Sequence, residues 1–110
     1  MTFDEIVDLE TFTFDVTQED ISRGNLGDPC ACPIARAINR TLGLEKCSTY
    51  VPPSISHYPI EITRPNENSE WHSGLVAHFD HSPESSKFVD DFDADIKVEP
   101  TTITLKRTVK

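Results

Sequence analysis

The chain has 110 residues, of which 19 are acidic and 10 basic, for a formal net charge of −9. That length supports one small domain and leaves no room for two, nor for a dinucleotide-binding fold or a barrel enzyme. The acidic excess disfavours direct binding to a phosphate backbone, and no apolar run approaches the roughly 18 residues that a membrane-spanning helix requires.

Residues 1–10 are acidic with apolar Phe3, Ile6, Val7 and Leu9. They read as a flexible arm or a short docking helix, and the acidic start lacks the basic flank of a secretory signal. Residues 11–16 alternate, with Phe12, Phe14 and Val16 on one side, as in a half-buried strand. Thr17 reads as the N-cap of a short helix, with Asp20 three residues on as an acidic capping box, Val16 and Ile21 as a hydrophobic staple, and Gly24 as the stop. Residues 24–29 form a tight loop. Cys32 and Pro33 open the clearest helix. Its apolar stripe is Ile34, Ala35, Ile38 and Leu42, with Arg36, Asn39 and Arg40 facing outward and Gly43 at its end.

Residues 46–51 form a short strand stopped by Pro52 and Pro53. Residues 57–63 form another, with Tyr58, Ile60 and Ile62 on one face. A polar loop over 65–70 leads to a strand over 71–79, with Trp71, Leu75, Ala77 and Phe79 on one side. Ser82-Pro83-Glu84 starts a further helix, which buries Phe88, Val89 and Phe92. A last strand spans 101–108. The order predicts a single α+β domain over 1–110: a small, mainly antiparallel sheet of four to five strands with two to three amphipathic helices on one face.

The charge is uneven. Residues 1–28 hold eight acids against Arg23 alone, and residues 80–99 hold seven against Lys87 and Lys97. Carboxylates spaced like phosphates can occupy a basic groove, whereas an acidic surface can also serve solubility alone. The residues expected to meet a partner are Glu19, Asp20, Asp90, Asp91, Asp93 and Asp95, with Trp71 as an aromatic anchor.

Soft ligands are Cys30, Cys32, Cys47, His57, His72, His78 and His81. Cys30 and Cys32 with His78 or His81 are weak candidates for zinc, because their spacing is unlike that of established sites. Three cysteines are too few for a disulfide scaffold and point to a reducing cytoplasm. Cys32 at a helix N-terminus could carry a lowered thiol pKa, and a Cys32–His78 nucleophile–base pair can be drawn. No triad signature supports it. Asp91, Asp93 and Asp95 alternate like calcium ligands. Position six is Ile96 where a calcium loop needs glycine, and position twelve is Thr102 where it needs glutamate. Only four glycines are present, and none builds a phosphate-cradling loop, so no nucleotide cofactor is expected.

The stretch Val16-Thr17-Gln18-Glu19-Asp20-Ile21, then Gly24, then Cys30-Ala31-Cys32-Pro33-Ile34-Ala35 and Ala37-Ile38, resembles a group of small phage- and prophage-encoded proteins. The resemblance covers residues 11–43 and extends to 88–106. It implies a strand, a short helix ending at glycine and a Cys-Pro-Ile-Ala helix, together with a phage or prophage origin. It carries no activity and no functional residue. The expected function is a non-enzymatic module that binds a basic host protein in the host cytoplasm. Its most concrete form is an inhibitor of a nucleic-acid-binding defence protein, of the anti-CRISPR or anti-restriction kind. The alternatives are a scaffold homodimer and a small metal- or thiol-site protein.

Overall fold

Alternation of apolar and polar residues builds the sheet. In the computed structural model, which describes residues 3–44, 48–64 and 75–108, five antiparallel strands form: β1 (Thr11–Val16), β2 (Thr49–Tyr50), β3 (Ile60–Arg64), β4 (Leu75–Asp80) and β5 (Thr101–Arg107). Their order is β1-β5-β4-β3-β2. The first and last strands of the chain are neighbours, with Phe12 opposite Leu105 and Phe14 opposite Ile103. Three helices, α2 (Gln18–Arg23), α3 (Pro33–Leu42) and α4 (Pro83–Asp93), and one short N-terminal turn, α1 (Phe3–Ile6), complete the fold. This is the α+β architecture that the periodicity predicts.

Phe12, Phe14 and Val16 of β1 are buried with Ile60, Ile62, Ala77, Phe79, Ile103 and Leu105. Phe12 packs on Phe14 and Phe79 at ring-centroid distances of 5.3 and 5.8 Å, inside the favourable range for aromatic pairs. Helix α3 buries Ile34, Ala35, Ala37, Ile38 and Leu42, and α4 buries Phe88, Val89 and Phe92. The opposite sheet face is polar and cross-linked in register. Thr13 meets Thr104 at 2.8 Å, Thr102 donates to Asp15 at 2.6 Å, and Glu61 meets His78 at 3.0 Å. Such cross-strand pairs each add a fraction of a kcal/mol.

The N-terminal segment docks on its own core. Ile6 is fully buried, Val7 and Leu9 pack beside it, and Arg107 donates through Nε to the Leu9 carbonyl at 2.9 Å.

Two expectations are corrected. Tyr58 is 71% exposed, because His57 before it adopts a left-handed φ of 60° and Pro59 comes directly after Tyr58. The extended backbone therefore starts at Ile60. Asn39 faces inward and accepts from the Thr49 hydroxyl at 2.6 Å, so α3 is gripped by β2 on a flank that its polar residue had marked as outer. Gly24 stops α2 as expected, in extended backbone at φ −71° and ψ 149°. Its role is closeness: a Cβ there would stand 2.7 Å from Cδ of Pro33, so glycine lets the exit of α2 lie directly on the start of α3. Trp71 and His72 of the expected fourth strand, and Lys46 and Cys47 before β2, lie outside the described residues.

Gly24→Ala is expected to lower stability by about 1–3 kcal/mol, the usual cost of overpacking. A urea titration checks it, and an unchanged midpoint would mean that Pro33 yields freely.

Candidate functional site

The two acidic segments behave differently once folded. In the first, Thr17 caps α2 and Asp20 returns the bond. The Asp20 N–H donates to Thr17 Oγ1 at 3.2 Å, and the Thr17 N–H donates to Asp20 Oδ2 at 3.0 Å. Val16 is buried and Ile21 packs on the core, as the staple requires. Asp20 is 2% exposed, and its carboxylate also receives Arg40 Nη2 at 2.8 Å. Arg40 donates further to the Asp15 carbonyl at 2.9 Å. Asp20 is therefore removed from the partner-facing set, because burial and an internal cation consume it. Glu19 remains on the surface, paired with Arg23 one turn along at 3.4 Å.

The second segment keeps its acids outside. Ser82 caps α4 in a capping box with Ser85, and Pro83 occupies the first turn. Phe88, Val89 and Phe92 face the core, so the intervening positions carry the acids outward. Asp90, Asp93 and Asp95 are exposed and Asp91 is half-buried. Lys87 donates to Asp91 at 2.7 Å. That hydrogen bond, then the Asp91 charge, raises the Lys87 pKa. Asp93 accepts the Gly27 N–H at 3.0 Å, tying the loop after α2 to this helix end.

Two features of this end run against local stability. The last turn of α4 contains acids and no base, although the helix macrodipole is negative there and favours cations. The closing residue, Asp95, is left-handed at φ 59°, the position where glycine is strain-free. The amides close the turn in the usual way, with Ile96 N–H on the Asp91 carbonyl at 2.8 Å and Asp95 N–H on Phe92 at 3.0 Å. At the same position α3 uses Gly43, at φ 66°, with Arg40 in its last turn.

The thiol and imidazole candidates do not converge. Cys32 is buried and caps α3, its Sγ accepting the Ala35 N–H at 3.5 Å. Burial pushes its thiol up from an ordinary value of 9.0 to about 11. Desolvation outweighs the two backbone hydrogen bonds that favour the thiolate, so the lowered pKa expected of a helix N-terminus is overturned. His78 alternates with the buried Ala77 and Phe79 and meets Glu61 on the polar face of the sheet. Cys32 is on the helix side, so the Cys32–His78 pair is not assembled. His81 has both ring nitrogens engaged, Nδ1 with Ser85 Oγ at 2.8 Å and Nε2 with the Pro52 carbonyl at 2.9 Å. A carbonyl only accepts, so Nε2 carries the proton there. Cys30 is half-buried beside α2 and α3. Among the described residues, no three His, Cys, Asp or Glu side chains stand close enough to hold a metal ion.

The structure also exposes residues that the sequence reading did not single out. Ile55 is 84% exposed in the 3-10 turn Ser54–Ser56, which packs on α4, and Leu26 and Ile96 are more than half exposed. Leu26 precedes the glycine held by Asp93, and Ile96 follows Asp95. Periodicity carries no signal for such loop positions.

Because Cys32 stays protonated longer in the folded than in the unfolded chain, its contribution to stability is present below about pH 9 and is lost as pH rises toward about 11. The stability difference between parent and Cys32→Ser, followed by urea titration, should shift across that window in the direction of weakening the parent. A constant difference would contradict the buried-thiol assignment. Among the described residues, no helix is long and apolar enough to cross a membrane. Comparisons with protein-family models, with curated proteins and with solved structures returned no match.

Proposed function

We propose that the chain is a non-enzymatic protein-binding module that presents the acidic end of α4 to a basic partner. The observation that carries this reading is the coincidence of two local costs at one helix end: carboxylates against the macrodipole and an aspartate in the left-handed position. Each is a departure from what folding alone favours. Such departures concentrate where a surface serves another molecule. The acidic dipole end attracts cations, and exposed Leu26 and Ile96, next in sequence to Gly27 and Asp95, add apolar contact area of the kind that anchors an interface.

In its most concrete form, the partner is a host protein whose basic groove ordinarily holds nucleic acid. Asp90, Asp91, Asp93 and Asp95 take the place of phosphates, in a phage-encoded inhibitor acting in the host cytoplasm. The role needs no cofactor. Glu19 lies on α2 and is paired locally, so it has a minor part.

The test uses Asp90→Lys with Asp95→Lys. The doubly reversed chain should remain folded, and Asp95→Gly alone should add about 1 kcal/mol by relieving the left-handed strain. Capture from host extract should retain a basic nucleic-acid-binding protein on the parent chain, release it with duplex DNA, and lose it on the doubly reversed chain. Equal retention by both chains would end the acidic-face reading. Retention that duplex DNA fails to release would end the phosphate-mimicry form of it.

A further inference from the structure

Helix α3 turns one face toward a depression of about 300 Å³ that Ala31, Asn39, Arg40 and Leu44 line together with the acids Glu19 and Asp20. Arg36 lies one turn before Arg40 and lines the same space. Among the described residues, the charges around it are already matched, with one exception. Arg40 is held by Asp20 at 2.8 Å, and Glu19 is held by Arg23 at 3.4 Å. Arg36 has no ion pair among the described residues, and its Nε is buried with no hydrogen-bond partner.

The other described arginine side chains differ. Arg23 and Arg40 meet carboxylates, and Arg107, which also has a buried Nη2 without a partner, donates through Nε to the Leu9 carbonyl. A guanidinium does not shed its proton. A half-buried one therefore needs an anion or acceptors, and an unpaired one calls for an explanation.

We infer that this depression is a binding site for a small monocarboxylate, with Arg36 as its anchor. The Nη1–Nη2 edge of a guanidinium matches a carboxylate through two parallel hydrogen bonds. The one positive charge left unmatched among the described residues balances a single negative one. A dianion would leave excess negative charge beside Asp20 and Glu19, in a chain already at −9. Ala31 and Leu44 supply apolar wall for a short hydrocarbon body, and the volume suits a ligand of a few heavy atoms. The site lies on α3 and is independent of the acidic end of α4.

The experiment is an NMR titration of the full chain with butyrate, read at the Arg36 Nε–H and at the backbone amides of Ala31, Arg36 and Asn39. The neutral isostere butyramide and inorganic phosphate serve as comparisons. A saturable shift with butyrate is expected, with a dissociation constant on the order of 1 mM or tighter, and none with butyramide. Arg36→Gln should weaken butyrate binding by about tenfold or more, and Arg36→Lys should fall between, since an ammonium keeps the charge without the fork. Should Arg36→Gln fail to fold, Arg36→Lys and the butyramide comparison still decide. The inference is overturned by an absence of saturation, by an equal response to butyramide, by undiminished binding in Arg36→Gln, or by tighter binding of phosphate than of butyrate.

Discussion

A buried carboxylate holds the first third of the molecule in place. Asp20 sits at the third position of α2, where it accepts from the Thr17 amide at 3.0 Å and from Arg40 of α3 at 2.8 Å. Arg40 reaches on to the Asp15 carbonyl at the end of β1. One charged group thus joins a strand, a helix cap and a second helix. Ionised carboxylates are expensive to bury, and this arrangement offsets the cost only because every partner is a donor with good geometry. The contact of Gly24 with Pro33 sets the same two helices at the distance that lets Arg40 arrive. Remove the closeness and the ion pair lengthens; remove the ion pair and the carboxylate is stranded.

Local signals made much of this legible in the sequence. The alternation of Phe12, Phe14 and Val16, the Thr17–Asp20 box, the Pro33 start and Gly43 stop of α3, and the buried stripe Phe88, Val89 and Phe92 are each written within a few residues. Each is found where its chemistry puts it. What periodicity missed depends on distant segments. Asn39 looks like an outer residue until β2 brings Thr49 to it. Asp20 looks like surface charge until Arg40 arrives from 20 positions away. Cys32 carries the N-terminal signature of a reactive thiol, but burial dominates its chemistry. Helical spacing also puts Arg36 and Arg40 on one face, without revealing that, among the described residues, Arg40 alone of the two finds a carboxylate. In each case the one-dimensional pattern gives the face, and the third dimension decides what covers it.

The ends of α3 and α4 make a useful comparison because the same closing turn is built with opposite chemistry. Gly43 and Arg40 end α3 as folding alone would choose: a strain-free left-handed residue and a cation at the negative pole. Asp95 and its neighbours end α4 with a strained residue and anions at that pole. The difference between the two is about 1–3 kcal/mol of local stability, by the usual costs of a left-handed non-glycine and unfavourable dipole charges. For a domain whose whole stability is of order 5–15 kcal/mol, that is a considerable concession to make on a surface with no other use.

The same comparison divides the net charge into parts with different meanings. Asp15 is bonded to Thr102 on the sheet, Asp20 to Arg40 in the interior, and Glu19 to Arg23, while Asp28 accepts the Cys30 amide within its own loop. These acids organise local structure, and their charge is neutralised or fixed by neighbours. At the C-terminal end of α4, Lys87 neutralises Asp91, but the helix dipole adds negative potential to the exposed carboxylates beside it. Screening in salt limits exposed charges to a range of about 10 Å, so a neighbouring molecule would feel this one helix end and not the sum over the chain. In the proposed function, the charge that would select a partner is therefore local, set by where α4 stops and by which residues its final turn points outward.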